Sequence, residues 1–277
     1  MGKLVVIKSG PLATVQDRGR FGLRRYGIPQ SGAIDVFKME FVNRCLGKQK
    51  HMPVIEFALM GLKLQASERT AVAFAGCSAK LNGKLCSDFS VYLEVDDILE
   101  LSPPVDVYGY FTIGGALNLD KVFGSYSTYL PAKFGGIEGR SLKKGDVLES
   151  KGEVLLVKTE FTRNEHLAPI RYMKGPEWKY TTGTLDTEQF QVAPPSNRIG
   201  VRLEGLRMEC KVKEIKSSAV VPGTIQLPPD GQPIVLMNDC QTTGGYPRLG
   251  KVVDEDLGKL AQVRAGNKVR FNLISLS

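Results

Sequence analysis

From Val54 to Val157 the chain is written in short apolar runs separated by turn residues. Leu62-Lys63-Leu64-Gln65-Ala66, Val72-Ala73-Phe74-Ala75, Phe89 to Val95 and Val107 to Ile113 are examples. Runs of about four to eight residues are too short for helices, and this spacing predicts a β-sandwich or barrel. The texture recurs outside that region, in Lys3 to Ile7, Val201-Arg202-Leu203-Glu204 and Pro233 to Met237. Three segments also echo one another: Leu93 to Leu99, Leu142 to Leu148 and Val263 to Val269. Each is an apolar residue, two variable residues, a turn pair, one variable residue and a second apolar residue. That echo suggests one β design used more than once. The expected class is therefore mainly β, with a few short helices.

One stretch breaks the pattern. Ile34, Phe37, Phe41, Cys45 and Leu46 recur at helical spacing with Lys38, Asn43 and Arg44 opposite, which predicts an amphipathic helix. Ser31 is placed to cap its start, Asp35 suits the first turn and Gly47 suits the stop. A second short helix is expected near Glu255 to Ala261.

The 277 residues suggest two domains, expected at 1–165 and 166–277, with the charged segment 159–169 between them. With 42% hydrophobic and 24% charged residues, the chain has the composition of an ordinary soluble domain. Its net charge of +8 is scattered. The largest basic clusters, Arg24-Arg25, Lys48 to His51 and Lys143-Lys144, are not interleaved with aromatic residues, so no nucleic-acid partner is expected. The five cysteines form no CxxC pair, as expected of reduced thiols in a cytoplasm. No signal peptide or membrane-spanning run is evident, and no membrane partner is expected.

With only His51 and His166, both expected at the surface, a Ser-His-Asp site or a histidine metal cluster is improbable. No metal ligand is assigned. Gly245 to Lys251 fits GxxxxGK, but Val252 replaces the hydroxyl residue and Pro247 removes an N–H, so it is not a phosphate loop. Chemistry then falls to carboxylates, amides, hydroxyls and guanidinium groups on the glycine-rich loops. The candidates are Gln16, Asp17 and Arg20; Ser31 and Asp35; Thr128, beside Ser127 and Arg140; Asn197 and Arg198; and Asp239, Gln241, Thr242 and Arg248. Arginine can hold a carboxylate or phosphate with two parallel hydrogen bonds. Asp17 or Asp239 could act as a base or position a water. The competing reading is that these pairs only tie loops together.

At these residues the chain resembles a known family. Val15 to Asp35 (VQDRGRFGLRRYGIPQSGAID), Gly124 to Tyr129 (GSYSTY), Phe134 to Arg140 (FGGIEGR), Ser196 to Gly205 (SNRIGVRLEG) and Gly223 to Gly250 carry the resemblance, in order and across nearly the whole chain. The family is allophanate hydrolase subunit 2, also described as the 5-oxoprolinase C subunit. It includes the KipI antagonist KipA and is related to the carboxyltransferase domain of urea carboxylase (urea amidolyase). The resemblance implies two cyclophilin-like β-barrel units. It implies a tight hetero-oligomer with a KipI-like partner (the B subunit), and a LamB/YcsF-like partner (the A subunit) for full activity. Such a complex opens 5-oxoproline to glutamate through a phosphorylated lactam, using ATP with Mg²⁺ at the level of the complex, and the isolated chain is expected to be inactive. Carrying the motifs over makes Asp17, Asp239 and Arg198 the expected catalytic residues and the other candidates substrate-binding. The alternatives are a biotin-dependent carboxyltransferase component and a non-catalytic antagonist that binds a KipI-type kinase inhibitor.

Overall fold

The structure, a computed structural model, describes residues 2–152, 155–159, 161, 168–186 and 189–275. The expected boundary at 165/166 and His166 lie outside the described residues. By its contacts the chain divides into two compact units. One holds Met1–Arg20 and Ser31–Thr162, the other Phe21–Gln30 and Arg163–Ser277.

The first unit consists of two antiparallel sheets that share one core. The larger runs in the order Ala116–Leu117, Val147–Lys151, Gly2–Lys8, Leu62–Glu68, Ile98–Leu101, Ala79–Leu81, Lys84–Leu85. The smaller runs Thr14–Gln16, Val54–Ala58, Tyr108–Ile113, Thr70–Ala75, Ser90–Leu93. In Gly2–Lys8 and Leu62–Glu68 alternate residues point inward, so Leu4, Val6, Leu62, Leu64 and Ala66 meet Val15, Ile55, Phe57, Val72 and Phe111 of the other sheet. Thr70–Ala75 and Tyr108–Ile113 are buried at every residue because helix α1, Val36–Cys45, packs over their outer face. That is why these two runs read as continuously apolar rather than alternating.

The second unit contains a closed barrel. Its order is Ile170–Lys174, Arg248–Val252, Thr224–Gln226, Ile234–Leu236, Gly200–Glu204, Gln189–Ala193, Lys268–Leu273, and the last strand pairs in parallel with the first to close the ring. Closure removes the open sheet edge. Helix α2, Asp254–Ala261, begins with three acids, which suits the positive end of a helix dipole. One of them, buried Asp256, binds Arg171 through the backbone N at 2.9 Å, Nε at 2.9 Å and Nη2 at 3.0 Å, fixing α2 to the first barrel strand. The GxxxxGK look-alike ends inside a barrel strand, in keeping with its rejection as a phosphate loop.

Two expectations for α1 need correction. Asp35, not Ser31, is the N-cap, its carboxylate accepting from Lys38 N at 3.3 Å, while Ser31 sits outside the helix at φ 54°. Lys38 and Asn43, expected on a solvent face, are buried, and Phe37 is 40% exposed. The polar pair tolerates burial because each has partners: Lys38 Nζ meets Asp106 at 3.0 Å, and Asn43 Nδ2 donates to Lys50 O at 3.2 Å and Met52 O at 2.8 Å. Gly47 ends the helix as expected, at φ 63° with its N–H on Arg44 O at 3.0 Å.

The three echoed segments form one and the same turn. The fourth residue of each, Asp96, Gly145 and Gly266, is left-handed, at φ 69°, 90° and 89°. Its N–H donates to Ala66 O, Val6 O and Val192 O respectively, each at 2.8 Å. Ala66, Val6 and Val192 donate back to Asp97, Asp146 and Asn267 O at 2.8–2.9 Å. Each turn therefore clasps a neighbouring strand by two hydrogen bonds before entering its own strand at Ile98, Val147 or Lys268.

Candidate functional site

In the first unit the candidates gather around the Asp17 carboxylate. Oδ1 accepts from Ser125 Oγ and Ser127 Oγ at 2.6 Å each and from Gly19 N at 2.8 Å, and Oδ2 accepts from Tyr126 N at 2.8 Å. Arg20 lies beside it, donating to Ser127 O through Nη2 and stacking its guanidinium 4.7 Å from the Phe134 ring centre. Gln16 Nε2 donates to Thr14 Oγ1 at 3.0 Å and Thr128 O at 3.2 Å. Gln16, Asp17, Arg20 and Thr128 are thus brought together, and all are buried. Ser31 adjoins the same loop: Ala33 N donates to Asp17 O at 2.8 Å, and a Cβ on Gly32 would stand 2.8 Å from Arg18 C.

Asp35 belongs to a second buried network on the smaller sheet. Its N–H donates to Tyr110 Oη at 2.8 Å, and Tyr110 donates to Glu56 Oε2 at 2.6 Å. Burial first, then the neighbouring carboxylates of Glu56 and Asp35, push the Tyr110 phenol well above its ordinary range, so it stays a donor. Arg140 grips Asp146 with Nη1 at 2.7 Å and Nη2 at 2.9 Å, which commits its guanidinium to a loop tie.

In the second unit the candidates form two arginine–carboxylate pairs. Arg198 Nε and Nη2 meet Asp239 Oδ2 and Oδ1 at 2.7 and 3.1 Å, and Asp239 N donates to Arg198 O at 2.8 Å. Arg248 Nε and Nη2 meet Glu177 Oε2 and Oε1 at 2.9 and 3.0 Å. The Arg248 guanidinium, through its hydrogen bonds, holds the Glu177 carboxyl below its usual range. Asn197 Oδ1 accepts from Ile199 N at 2.8 Å, a turn-forming contact, and its residue is exposed. Gln241 is exposed and its Nε2 donates to Gln226 Oε1 at 3.3 Å. Thr242 contributes its carbonyl to Val220 N at 3.1 Å.

Several residues that carry these clusters are not among the candidates read from sequence. Ser125 is half of the hydroxyl pair on Asp17, and Glu177 is the partner of Arg248. Arg24 stands out in the sequence only as part of a basic cluster. Its Nη2 donates to Val220 O and Gln241 O at 2.6 Å each and lies 3.7 Å from Cys240 Sγ. Burial pushes the Cys240 thiol up, against the pull of Arg24, which argues against a nucleophilic role. All five cysteines are free. No local signal pairs Arg24 with residues so remote in the chain; only the fold does.

Chemically, both clusters are preorganised anions and donors on loops fixed by rigid sheets. The Asp17 carboxylate, with four donors on its two oxygens, ties its own loop to the 125–127 segment. Among the described residues no three or more of His, Cys, Asp or Glu are grouped as a metal site, and no helix is long and apolar enough to cross a membrane.

Comparison with known proteins places these features in context. Residues 26–273 match the family described as the carboxyltransferase domain, subdomain A and B. The chain is 36% identical to the 5-oxoprolinase C subunit of Haemophilus influenzae, across 95% of this chain and 89% of that protein. It is 34% identical to the protein of the same name from Escherichia coli, across 99% and 92%. Among solved structures, it superimposes on the Kluyveromyces lactis urea carboxylase with a TM-score of 0.89 at 25% identity, covering 99% of this chain but 27% of that one. The solved chains it matches are longer, and it spans 56% of another of them.

Proposed function

Because the chain belongs to the carboxyltransferase-domain family, subdomain A and B, we propose that it serves as the C subunit of an ATP-dependent 5-oxoprolinase, a complex that opens 5-oxoproline to glutamate. The observation that carries this reading is the 36% identity to a 5-oxoprolinase C subunit over 95% of this chain and 89% of its relative. Full-length correspondence in both directions argues for the same component rather than a shared module.

The chemistry is consistent with the residues on these loops. A lactam carbonyl is a poor electrophile, and ATP with Mg²⁺ supplies the phosphoryl group that turns its oxygen into a leaving group. No acidic cluster is grouped for a metal among the described residues, and Arg140, Arg198 and Arg248 already hold carboxylates. We therefore assign the nucleotide to the complex. This chain's part is to bind and orient: the Arg198–Asp239 pair fixes the 238–242 loop, and the exposed side chain of Gln241 with Thr242 faces the ligand. Asp17 with Ser125 and Ser127 fixes the 16–20 and 124–128 loops. The partners are a KipI-like chain and a LamB/YcsF-like chain, the complex is cytoplasmic, and the isolated chain is inactive.

Mixed with those two partners, the chain is expected to support 5-oxoproline-dependent release of ADP and glutamate. Arg198→Ala and Asp239→Asn should each lower turnover by about tenfold or more, since the first removes the guanidinium and the second removes the charge and one of the two acceptors of a bidentate pair. No turnover in a complex shown by gel filtration to contain all three chains refutes the reading. Biotin-dependent carboxyl transfer is the second reading, favoured by the family description and the urea carboxylase likeness. Transfer of carboxylate from carboxybiotin in the same complex, with no lactam opening, would establish it instead.

A further inference from the structure

Among the described residues of the second unit, three buried side-chain polar atoms have no hydrogen-bond partner: Arg24 Nη1, Ser218 Oγ and Gln226 Nε2. All three stand around one two-stranded ribbon, Ser218–Ala219 paired with Thr243–Gly244, in which Ser218 is opposite Gly244. Gln226 reaches the ribbon from the barrel strand Thr224–Gln226 and is only 2% exposed. A Cβ on Gly244 would sit 2.5 Å from its Nε2, so glycine there leaves room for the carboxamide. Arg24 comes from the 21–30 segment, and its other terminal nitrogen is committed to Val220 O and Gln241 O. Gln241 links the two, giving its carbonyl to Arg24 and its Nε2 to Gln226.

Buried donors without acceptors are rare in folded proteins, and three around one ribbon call for a common explanation. A guanidinium and a carboxamide nitrogen can only donate, and a hydroxyl can donate as well. The matching partner is a group with acceptors alone and negative charge. An apolar ligand would leave all three donors unsatisfied, and a cation would be repelled by Arg24. A compact oxyanion, carboxylate or phosphoryl, supplies acceptors of the kind all three lack.

We propose that Arg24, Ser218 and Gln226 form a binding site for the oxyanion of a small-molecule ligand. The site rests on the 5-oxoprolinase reading only for the ligand's identity, in which case the group held is the 5-oxoproline carboxylate or a phosphoryl oxygen. The barrel strand that carries Gln226 gives the site a rigid floor.

The test titrates the full chain, alone and assembled with its two partner chains, with three probes: L-5-oxoproline, 2-pyrrolidinone (the same lactam without the carboxylate) and inorganic phosphate. Calorimetry gives affinity and thermal melting gives stability. Binding of 5-oxoproline but not 2-pyrrolidinone identifies a carboxylate, and binding of phosphate a phosphoryl group. Gln226→Met and Ser218→Ala should weaken that binding by about tenfold or more. Ser218→Ala should leave the melting temperature of the ligand-free protein unchanged, because the Oγ it removes has no partner there, and Gln226→Met should lower it by no more than the loss of the single 3.3 Å hydrogen bond from Gln241 Nε2 to Gln226 Oε1. A structural role alone predicts the reverse, with lower melting temperature and unchanged affinity. The site is overturned if 2-pyrrolidinone binds as tightly as 5-oxoproline, if Gln226→Met binds the oxyanion like wild type, or if neither sample binds either anion. Loss of turnover with oxyanion binding intact would sink the 5-oxoprolinase reading alone. Intact turnover with an unchanged 5-oxoproline KM in Gln226→Met would sink this site alone.

Discussion

Lys48 follows α1 and directs its Nζ to Thr112 Oγ1 at 2.7 Å and Ile113 O at 2.9 Å. Both acceptors are neutral, and burial lowers its pKa to about 7 from an ordinary value of 10.5. The sign of the stability effect follows from proton counting. Below about pH 7 the lysine is charged in folded and unfolded chains alike, and the folded state carries the full desolvation penalty. Between about 7 and 10.5 the unfolded chain binds more protons, so stability rises with pH through that window. Urea unfolding of wild type and Lys48→Met between pH 6 and 10 should show the wild type gaining roughly 2–4 kcal/mol relative to the variant as pH rises. A flat difference would show that Lys48 keeps its proton throughout. At this scale the sequence is readable only in part. The candidate loops do hold dense polar networks, yet the partners of Arg24 and Arg248 are remote in the chain, and Lys48 itself stands out only as one of a basic run.

At the scale of elements, the echoed segments show what a short sequence pattern can and cannot carry. Apolar residues at both ends and a turn pair between them specify a turn that enters a strand, and all three segments make it with the same hydrogen bonds. The pattern does not say which strand each turn clasps, because that depends on sheet order. It also conceals a difference in strain. Asp96 occupies the left-handed position that Gly145 fills in the second turn, at φ 69° against 90°. A side chain there costs about 1 kcal/mol relative to glycine. Asp96→Gly should therefore stabilise the protein by up to about 1 kcal/mol, and Gly145→Ala should destabilise it by about 1–2 kcal/mol, measured as shifts in urea midpoint at constant slope. Equal and small effects at both positions would refute the shared-turn account. Helix α1 is the harder element to read. Its spacing announces a helix but misassigns the faces, because Lys38 and Asn43 are buried with partners supplied by other segments, Asp106 and the 50–52 turn. Periodicity counts polar residues as solvent-facing; it cannot see a partner waiting in the core.

At the scale of the whole molecule, length and strand texture suggest two β units but do not mark the 21–30 segment, which groups with residues beyond 162. Nothing in Phe21 to Gln30 marks it as part of a body made otherwise of residues beyond 162. The mark is Arg24, whose Nη2 satisfies two main-chain carbonyls, Val220 O and Gln241 O, that flank the 218–219 and 243–244 ribbon. A second unit cut out as residues 163–277 alone would lack this guanidinium, and each carbonyl left without it loses a charge-assisted hydrogen bond of about 1.5–3 kcal/mol. Such a fragment should melt at lower temperature and be cleaved faster by protease within 218–244 than the same unit in the full chain. A synthetic peptide spanning residues 19–32, added in excess, should restore protection by mass action, since it binds the folded unit and not the unfolded chain. The same peptide with Arg24→Met should fail. A fragment as protected as the full chain without any peptide would show that the barrel holds its ribbon unaided, and that Arg24 is there for a ligand alone.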